Sequence, residues 1–353
     1  MARGTVARML LGVGAAAVLF VLWSLAGAPG YAPTLPLDEQ DPAGGQESEA
    51  TAGGAAGFTL PGMKTQTALV NGINLFYRDV GTGPETMVLL HGFPETGDTF
   101  HRVIPALSAR YRLIIPDLRG FGRSDRPAGG YDKATVATDV KLLLDQLGVD
   151  KVHMVSHDIG GRVGFDFAVQ YPNRLSSLTV AETLLEGLPG LVLFDLFGRY
   201  ITRAKHFFIF DDADEAAARY RGKEQQLILW FLNSRSHAHR YTAQDVSAYV
   251  DSFKRDRGMW AAFKHYEAFT ADKVFNQAAD VAPLRTLPIL ALGGGGAEGA
   301  GDLLGKQLQA KGLPQVQSVL IPDSGHWLFE EQPERTVQVV QEFIDRAIAA
   351  RQR

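Results

Sequence analysis

Three short segments carry side chains whose types and spacing suit hydrolytic chemistry. The first is Ser156-His157-Asp158-Ile159-Gly160, which follows a β-branched run and opens a helical run. A sharp turn from strand to helix exposes a nucleophile only if the residues two before and two after it are small. Ser156 and Gly160 meet this requirement around Asp158, so a carboxylate stands where a G-x-S-x-G turn carries serine. Asp is also frequent at helix N-caps, so a structural role for Asp158 stays open.

The second and third segments supply partners for such a nucleophile. His91-Gly92-Phe93-Pro94 follows a predicted strand, and a loop in this place donates one backbone N–H to an oxyanion hole. The residue after the nucleophile donates the other, so we expect Phe93 and Ile159 to be the donors and His91 to be structural. His326, in the loop after the last predicted strand, is the candidate base because the triad order is nucleophile, acid, histidine.

The acid of this triad has two candidates. Glu182 comes almost directly after the predicted strand Ser177 to Val180, where it could orient His326. The loop after the next strand is a run of four glycines and offers Glu298 instead. We prefer Glu182 and keep Glu298 as the alternative. The structural interpretation of Glu182 is a carboxylate that stabilises the first turn of a helix.

These side chains require a sheet whose strand ends lie close together. Short β-branched runs alternate with helical patterns, which predicts an α/β fold with a mostly parallel sheet and helices on both faces. One amphipathic helix is predicted from about Lys133 to Leu147. The predicted strands are Met87 to Leu90, Leu113 to Ile115, Val152 to Val155, Ser177 to Val180, Ile289 to Leu292 and Val319 to Ile321.

Composition divides the chain into four kinds of segment. Residues 62–183 and 284–353 form the predicted α/β core. Residues 184–283 lose the strand signal and are predicted to form a helical lid, with helices at Asp214 to Trp230 and Ala243 to Lys254. Residues 33–61 have few large apolar side chains, which predicts a flexible linker.

The first 32 residues have a sequence pattern that is typical of an export segment. Arg3 and Arg8 precede an uncharged apolar run from Met9 to Ala28, which is long enough to cross a bilayer. The arginines should stay cytoplasmic, so we expect a periplasmic or extracytoplasmic protein. Ala26-Gly27-Ala28 resembles a cleavage site, but Pro29 and the length of the run favour a membrane anchor over a removed signal peptide.

Overall composition excludes several kinds of site. The 353 residues include no cysteine, which excludes disulfides, thiolate metal sites and a cysteine nucleophile. The net charge is -4 and no basic stripe occurs, so we expect no nucleic-acid partner. The glycine-rich stretch Asp117 to Asp125 lacks phosphate-binding spacing and is predicted to be a structural turn with internal salt bridges.

Taken together, the His91, Asp117, Asp158 and His326 segments resemble the epoxide hydrolase and haloalkane dehalogenase branch of the α/β-hydrolases. The resemblance covers about residues 62–349 and is strongest to the secreted bacterial Cif-like epoxide hydrolases. It implies an eight-stranded, mostly parallel sheet with a helical lid inserted after the sixth strand. Lys205-His206-Phe207-Phe208 and His265-Tyr266-Glu267-Ala268 match the lid segments of that subfamily, which implies that His206 and Tyr266 donate to the epoxide oxygen.

The resemblance implies an epoxide hydrolase that forms an ester on Asp158 and hydrolyses it with a water activated by His326. A haloalkane or haloacetate dehalogenase with the same triad is the first alternative. Fluoroacetate-type dehalogenases have Arg and Trp where this chain has Ile159 and Phe207, although Arg162 matches a second arginine of that group.

An exported binding protein on an inactive scaffold is the second alternative. We expect a small hydrophobic epoxide or halide as substrate, with no metal or organic cofactor. A membrane contact would require the uncleaved N-terminal segment, and a homodimer stays open.

Overall fold

The computed structural model describes residues 58–188, 206–237, 241–296 and 299–352. These residues contain a sheet of eight strands in the order β1-β2-β4-β3-β5-β6-β7-β8. Only the pairs β1–β2 and β2–β4 are antiparallel; all other neighbouring strands are parallel. The strands are β1 (Lys64–Val70), β2 (Ile73–Val80), β3 (Glu85–Leu90), β4 (Tyr111–Pro116), β5 (Val152–His157), β6 (Leu175–Ala181), β7 (Ile289–Gly294) and β8 (Gln317–Ile321).

The six strands predicted from sequence, β3 to β8, are confirmed. The two antiparallel strands before them were not predicted. β1 lies at the sheet edge and is mostly exposed, so its sequence KTQTALV lacks an alternating apolar face. Its partner β2 has four consecutive buried residues, so both faces of this strand are covered. The alternation of buried and exposed side chains that marks a half-buried strand is therefore missing from β2 as well.

Helices cover the sheet, and the predicted amphipathic helix occurs as α2, Lys133–Gln146. Asp132 caps this helix by accepting a hydrogen bond from the Thr135 amide at 2.9 Å. The apolar side of the last helix, including Val340, Phe343 and Ile344, joins the core beside β3 and β4. The helices of the core are α1 (Ile104–Ser108), α2 (Lys133–Gln146), α3 (Ile159–Gln170), α10 (Leu303–Lys311), α11 (Leu328–Glu331) and α12 (Pro333–Arg351), with short 3-10 turns at Gly97–Phe100 and Pro172–Arg174.

The described residues between β6 and β7 are helical, as predicted, and contain no strand. The helix predicted from Asp214 to Trp230 is wrong as one element, because it is broken at Gly222. This glycine has φ +78°, a left-handed conformation that ends one helix before the next begins. The elements are α4 (His206–Ile209), α5 (Ala213–Tyr220), α6 (Glu224–Arg235), α7 (Ala243–Lys254), α8 (Gly258–Glu267), α9 (Phe269–Ala278) and a 3-10 turn at Ala282–Thr286.

The glycine-rich stretch after β4 is a structural turn, but its ion pairs are not internal. Asp117 pairs with Arg78 of β2 at 2.7 Å, and Arg119 pairs with Asp139 of α2. All four side chains are buried. The turn is therefore bonded to the sheet and to a helix, which the sequence spacing of the turn could not indicate.

The predicted export segment, the linker to residue 57 and Glu298 lie outside the described residues. Among the residues that are described, no helix is long and apolar enough to cross a membrane.

Candidate active site

The turn between β5 and α3 holds Asp158 in a strained backbone conformation, φ 51° and ψ -118°. A Cβ on Gly160 would lie 2.5 Å from the carbonyl oxygens of Leu90 and His91, so only glycine permits this close approach. A Cβ on Gly92 would lie 2.3 Å from the Asp158 side chain. The Asp158 side chain makes no capping hydrogen bond to α3, which argues against the N-cap interpretation.

Two predicted partners converge on Asp158 from the ends of other strands. His326, in the loop after β8, places Nε2 3.6 Å from Asp158 Oδ2. Its Nδ1 lies 3.1 Å from Oε2 of Glu182, which follows β6 directly. Glu182 is buried and also accepts hydrogen bonds from the amides of Gly294 (2.5 Å) and Ala300 (2.9 Å). The order carboxylate, imidazole, carboxylate is that of a catalytic triad.

The charges of Asp158, His326 and Glu182 act on one another and set the protonation states of Asp158 and His326. Burial alone would raise the pKa of Asp158, but the hydrogen bond and charge of His326 outweigh burial and hold the pKa well below its ordinary value. Burial alone would lower the pKa of His326, but hydrogen bonds and charges of Asp158 and Glu182 raise it to about 9. At neutral pH the resting site therefore contains an ionised Asp158 beside a protonated His326.

The predicted oxyanion donors flank the same carboxylate. The Phe93 amide donates to Asp158 Oδ1 at 2.9 Å. Ile159 is the first residue of α3, so its amide has no acceptor within the helix and adjoins Asp158. His91 is structural, as predicted: it accepts from the Leu118 amide at 3.0 Å and contacts the Gly92 carbonyl oxygen at 2.9 Å.

A buried polar network that the sequence analysis missed supports the His326 loop. His157 Nε2 donates to the His326 carbonyl oxygen at 2.8 Å, and its Nδ1 lies 3.2 Å from Glu95. Burial, together with the charge of Glu95, raises the pKa of Glu330 well above its ordinary value. Tyr249 donates to Glu330 at 2.7 Å. His157 adjoins Asp158 in sequence, but nothing in the sequence links it to Glu330.

The lid brings Tyr266 and His206 together beside Phe93. The Tyr266 ring lies 5.3 Å from the Phe93 ring and 5.6 Å from the His206 ring, and both lid residues are buried. Burial, reinforced by the negative charge of Asp158, raises the pKa of Tyr266 well above its ordinary value. Tyr266 therefore keeps its proton while its pKa responds to the nearby Asp158 charge.

Aromatic rings enclose this part of the site. Phe231 meets Phe93 edge-on at 4.9 Å between ring centroids, and His206 meets the same Phe231 ring at 5.2 Å. These contacts surround the lid pair with aromatic rings on the side that faces Phe93. The other rings around Phe93 belong to Phe210, Phe253 and Phe263.

Arg235, at the end of α6, is a second residue that the sequence analysis missed. Its Nη2 lies 3.0 Å from Nδ1 of His206, and its carbonyl oxygen accepts from the His326 amide at 2.9 Å. Trp327 Nε1 also donates to the Leu232 carbonyl oxygen at 3.1 Å. The end of α6 is therefore bonded both to the triad loop and to the lid histidine, and no sequence motif marks it.

Arg162, the arginine that favoured a dehalogenase, is already paired. It forms an ion pair with Glu186, donates to Thr183 Oγ1 at 3.2 Å, and lies 4.0 Å over the Phe269 ring. Arg162 is buried, and its ion pair with Glu186 offsets its charge within the protein. This pairing makes Arg162 a weaker partner for a substrate carboxylate.

Among the described residues, His101, Asp245 and Glu330 come close enough to share a metal ion. Arg102 donates to Asp245 Oδ2 at 3.0 Å and to His101 Nε2 at 3.3 Å. A guanidinium thus already supplies positive charge to this group, and we assign no metal site there.

Comparison with known proteins agrees with this geometry. A family model for the alpha/beta hydrolase fold matches residues 85–333. The soluble epoxide hydrolase of a Corynebacterium species is 31% identical over 282 residues, which cover 78% of this chain and 95% of that protein. A Burkholderia fluoroacetate dehalogenase is 38% identical over 129 residues, 35% of this chain and 41% of that protein.

Solved structures share this fold. The Cif epoxide hydrolase from Acinetobacter nosocomialis superposes with a TM-score of 0.72 at 20% identity, covering 81% of this chain and 90% of that one. At this identity the likeness shows the shared fold. The predicted family is therefore confirmed: the chain belongs to the α/β-hydrolase fold family, as a hydrolase of its epoxide hydrolase and dehalogenase branch.

Proposed function

We propose that this hydrolase opens epoxides to vicinal diols through a covalent ester on Asp158. The observation that carries the proposal is the surroundings of one carboxylate. Asp158 Oδ1 accepts a hydrogen bond from the Phe93 amide, and Oδ2 lies 3.6 Å from Nε2 of His326. A protonated Tyr266 packs against the Phe93 ring beside them. A nucleophile, a base and an acid are thus available to one substrate.

In the first step a carboxylate oxygen of Asp158 attacks an epoxide carbon, and the carbon–oxygen bond to the ring oxygen breaks. Tyr266, assisted by His206, donates a proton to the oxygen that becomes a hydroxyl group. The product is an ester between Asp158 and the half-opened substrate. Because the pKa of Asp158 is held well below its ordinary value, the carboxylate is ionised before the substrate arrives.

In the second step His326 removes a proton from water, which attacks the ester carbonyl carbon. The amides of Phe93 and Ile159 stabilise the resulting oxyanion. Its collapse breaks the ester bond, and the proton of the added hydroxyl group passes to the leaving alkoxide oxygen, so the diol is released and Asp158 is restored as a carboxylate. The proton that His326 gives up before it acts as a base returns to the oxygen of Tyr266, which closes the proton balance. The ester has no charge, so the cause that most raises the pKa of His326 disappears when it forms. His326 therefore becomes a base only after ring opening, while Glu182 keeps it oriented.

Trapping the ester tests this proposal. A His326→Gln variant mixed with styrene oxide should gain the mass of one epoxide, and peptide mapping should locate the adduct on Asp158. An Asp158→Ala variant is the control and should gain no mass. Diol formation by the wild type without any ester in the His326→Gln variant would contradict the mechanism.

A dehalogenase remains the second candidate, because a relative named fluoroacetate dehalogenase is similar over part of the chain. The pairing of Arg162 with Glu186 argues against a substrate carboxylate at that position. Measuring diol formation from an epoxide against halide release from fluoroacetate and from a haloalkane separates the candidates. Halide release without epoxide turnover would reverse our assignment, and turnover of neither would favour a binding protein on this scaffold.

We also infer export, from Arg3 and Arg8 before the apolar run of residues 9–28. A C-terminally tagged full chain should appear in the periplasmic or membrane fraction of a bacterial host. Deleting residues 1–32 should return it to the cytoplasmic fraction. The size of the fractionated protein separates an anchor from a cleaved signal peptide.

A further inference from the structure

The contact between Arg235 and His206 determines which ring nitrogen of His206 carries the proton. Arg235 Nη2 lies 3.0 Å from His206 Nδ1. A guanidinium has only N–H groups, stays protonated in proteins, and cannot accept a hydrogen bond. Arg235 must therefore donate and Nδ1 must accept, so Nδ1 carries no proton. The proton of the neutral ring is then on Nε2.

The surroundings of His206 reinforce this tautomer. The side chain is buried, and its ring meets the rings of Phe207, Phe231 and Tyr266 at 4.1, 5.2 and 5.6 Å. A second proton, on Nδ1, would point at the Arg235 guanidinium and place two positive charges about one hydrogen-bond length apart. Arg235 thus opposes both the Nδ1–H tautomer and the charged ring.

We propose that Arg235 is a positioning residue that holds His206 as the Nε2–H tautomer, so that the ring donates a hydrogen bond to the epoxide oxygen. The inference rests on the proposed epoxide hydrolase function. The other tautomer would present a lone pair at Nε2, which repels an oxygen that becomes negatively charged as the ring opens. His206 can assist Tyr266 only with the proton on Nε2.

The inference predicts an effect on one step only. The Arg235 side chain bonds the lid histidine, whereas its carbonyl oxygen accepts from the His326 amide at 2.9 Å. A side-chain substitution retains that carbonyl oxygen. Loss of the guanidinium should therefore slow ring opening and leave ester hydrolysis by His326 unchanged.

Single-turnover kinetics test this separation of steps. Wild type, Arg235→Met and Arg235→Gln are mixed with styrene oxide and quenched, and the ester on Asp158 is followed by mass spectrometry. Arg235→Met should slow ester formation roughly 10- to 100-fold, within the range of general acid catalysis, with ester decay changed less than about twofold. Arg235→Gln keeps an N–H donor and should recover most of the rate.

Three kinetic outcomes would overturn the inference. These are an equal loss of both rates in Arg235→Met, no loss of either, or an Arg235→Gln variant as slow as Arg235→Met. An equal loss would indicate a general structural role, because a misplaced lid or a distorted His326 loop affects both steps.

A second measurement needs no substrate. In protein labelled with 15N-histidine, long-range proton–nitrogen correlations distinguish the two neutral tautomers and the charged ring. The His206 signals are those missing in a His206→Asn variant. The wild type should show Nε2–H, and Arg235→Met should lose this preference; an Nδ1–H or doubly protonated ring in the wild type would contradict the inference. If the wild type forms no diol, the proposed function fails, while the tautomer still decides whether Arg235 holds His206.

Discussion

The site has a core half, formed by Asp158, Glu182 and His326, and a lid half, formed by His206 and Tyr266. Different interactions position the side chains of the two halves. Glu182, in the core half, accepts hydrogen bonds from the Gly294 and Ala300 amides and lies 3.1 Å from His326. Tyr266, in the lid half, is surrounded by rings, including Phe93 at 5.3 Å and Phe269 at 5.0 Å. Glu182 is thus positioned by hydrogen bonds of fixed direction, whereas Tyr266 is positioned mainly by the rings that pack around it.

The halves also differ in charge. The core half alternates negative and positive groups, which keeps Asp158 ionised and raises the pKa of His326 to about 9. The lid half relies on neutral donors, because burial raises the pKa of Tyr266 well above its ordinary value. The comparison shows that Asp158 and Tyr266 have opposite electrostatic surroundings: charged partners keep the carboxylate ionised, and burial keeps the phenol protonated.

The largest expected effect comes from replacing Asp158, because the proposed reaction forms its ester on this side chain. Asp158→Ala should reduce epoxide turnover about 10⁴-fold or more, because no other group can form the ester. Steady-state diol formation measures the effect. Asp302→Asn changes an exposed carboxylate paired with Lys306 and should leave turnover unchanged. Residual turnover above about a tenth of wild type in the alanine variant would exclude Asp158 as nucleophile.

Substituting the two candidate acids in turn tests which of them orients His326 in the core half. Glu182→Gln should slow ester hydrolysis about 10²- to 10⁴-fold, since His326 loses the charge that orients it and stabilises its protonated form. Glu298→Gln is the matched control and should have little effect. Ester decay after a single turnover measures both variants. If Glu298→Gln were the slower of the two, the triad acid would be Glu298.

The lid half should respond at a different step. Tyr266→Phe removes one proton donor and should slow ring opening about 10- to 100-fold, with ester hydrolysis unchanged. Tyr131→Phe is the control, because its hydroxyl donates to the Pro127 carbonyl oxygen outside the site. Ester formation in a single turnover is the measurement. Equal slowing of both steps would show that Tyr266 packs the site rather than protonating the substrate.

The last prediction concerns stability and not a catalytic rate. The pKa of His326 rises from about 6.5 in the unfolded chain to about 9 in the folded protein, so its contribution is fully present below pH 6.5. It is lost as pH rises through 9. Between pH 6 and 9.5 the wild type should lose about 3 kcal/mol more free energy of unfolding than a His326→Gln variant. Urea unfolding at both pH values measures this difference; parallel losses would show that the charges around His326 do not couple.

Sequence predicted the core half better than the lid half, for a physical reason. Asp158 and His326 follow strands, and parallel strands end at the same edge of a sheet, so local patterns place both residues at one edge. The lid has no such rule: the prediction of a helix through Gly222 was wrong, and Arg235 carries no motif. Which helical residues face a substrate depends on how helices pack, which short patterns do not encode.

The sequence by itself determined the six strands β3 to β8, the turn that exposes Asp158 and the family, because local spacing and close backbone approach leave few alternatives. Only the tertiary structure shows that Glu182 reaches His326, that Arg162 is paired with Glu186, and that Arg235 contacts His206. Each of these contacts joins residues from different elements, and its effect on charge depends on burial and on distances of a few ångströms.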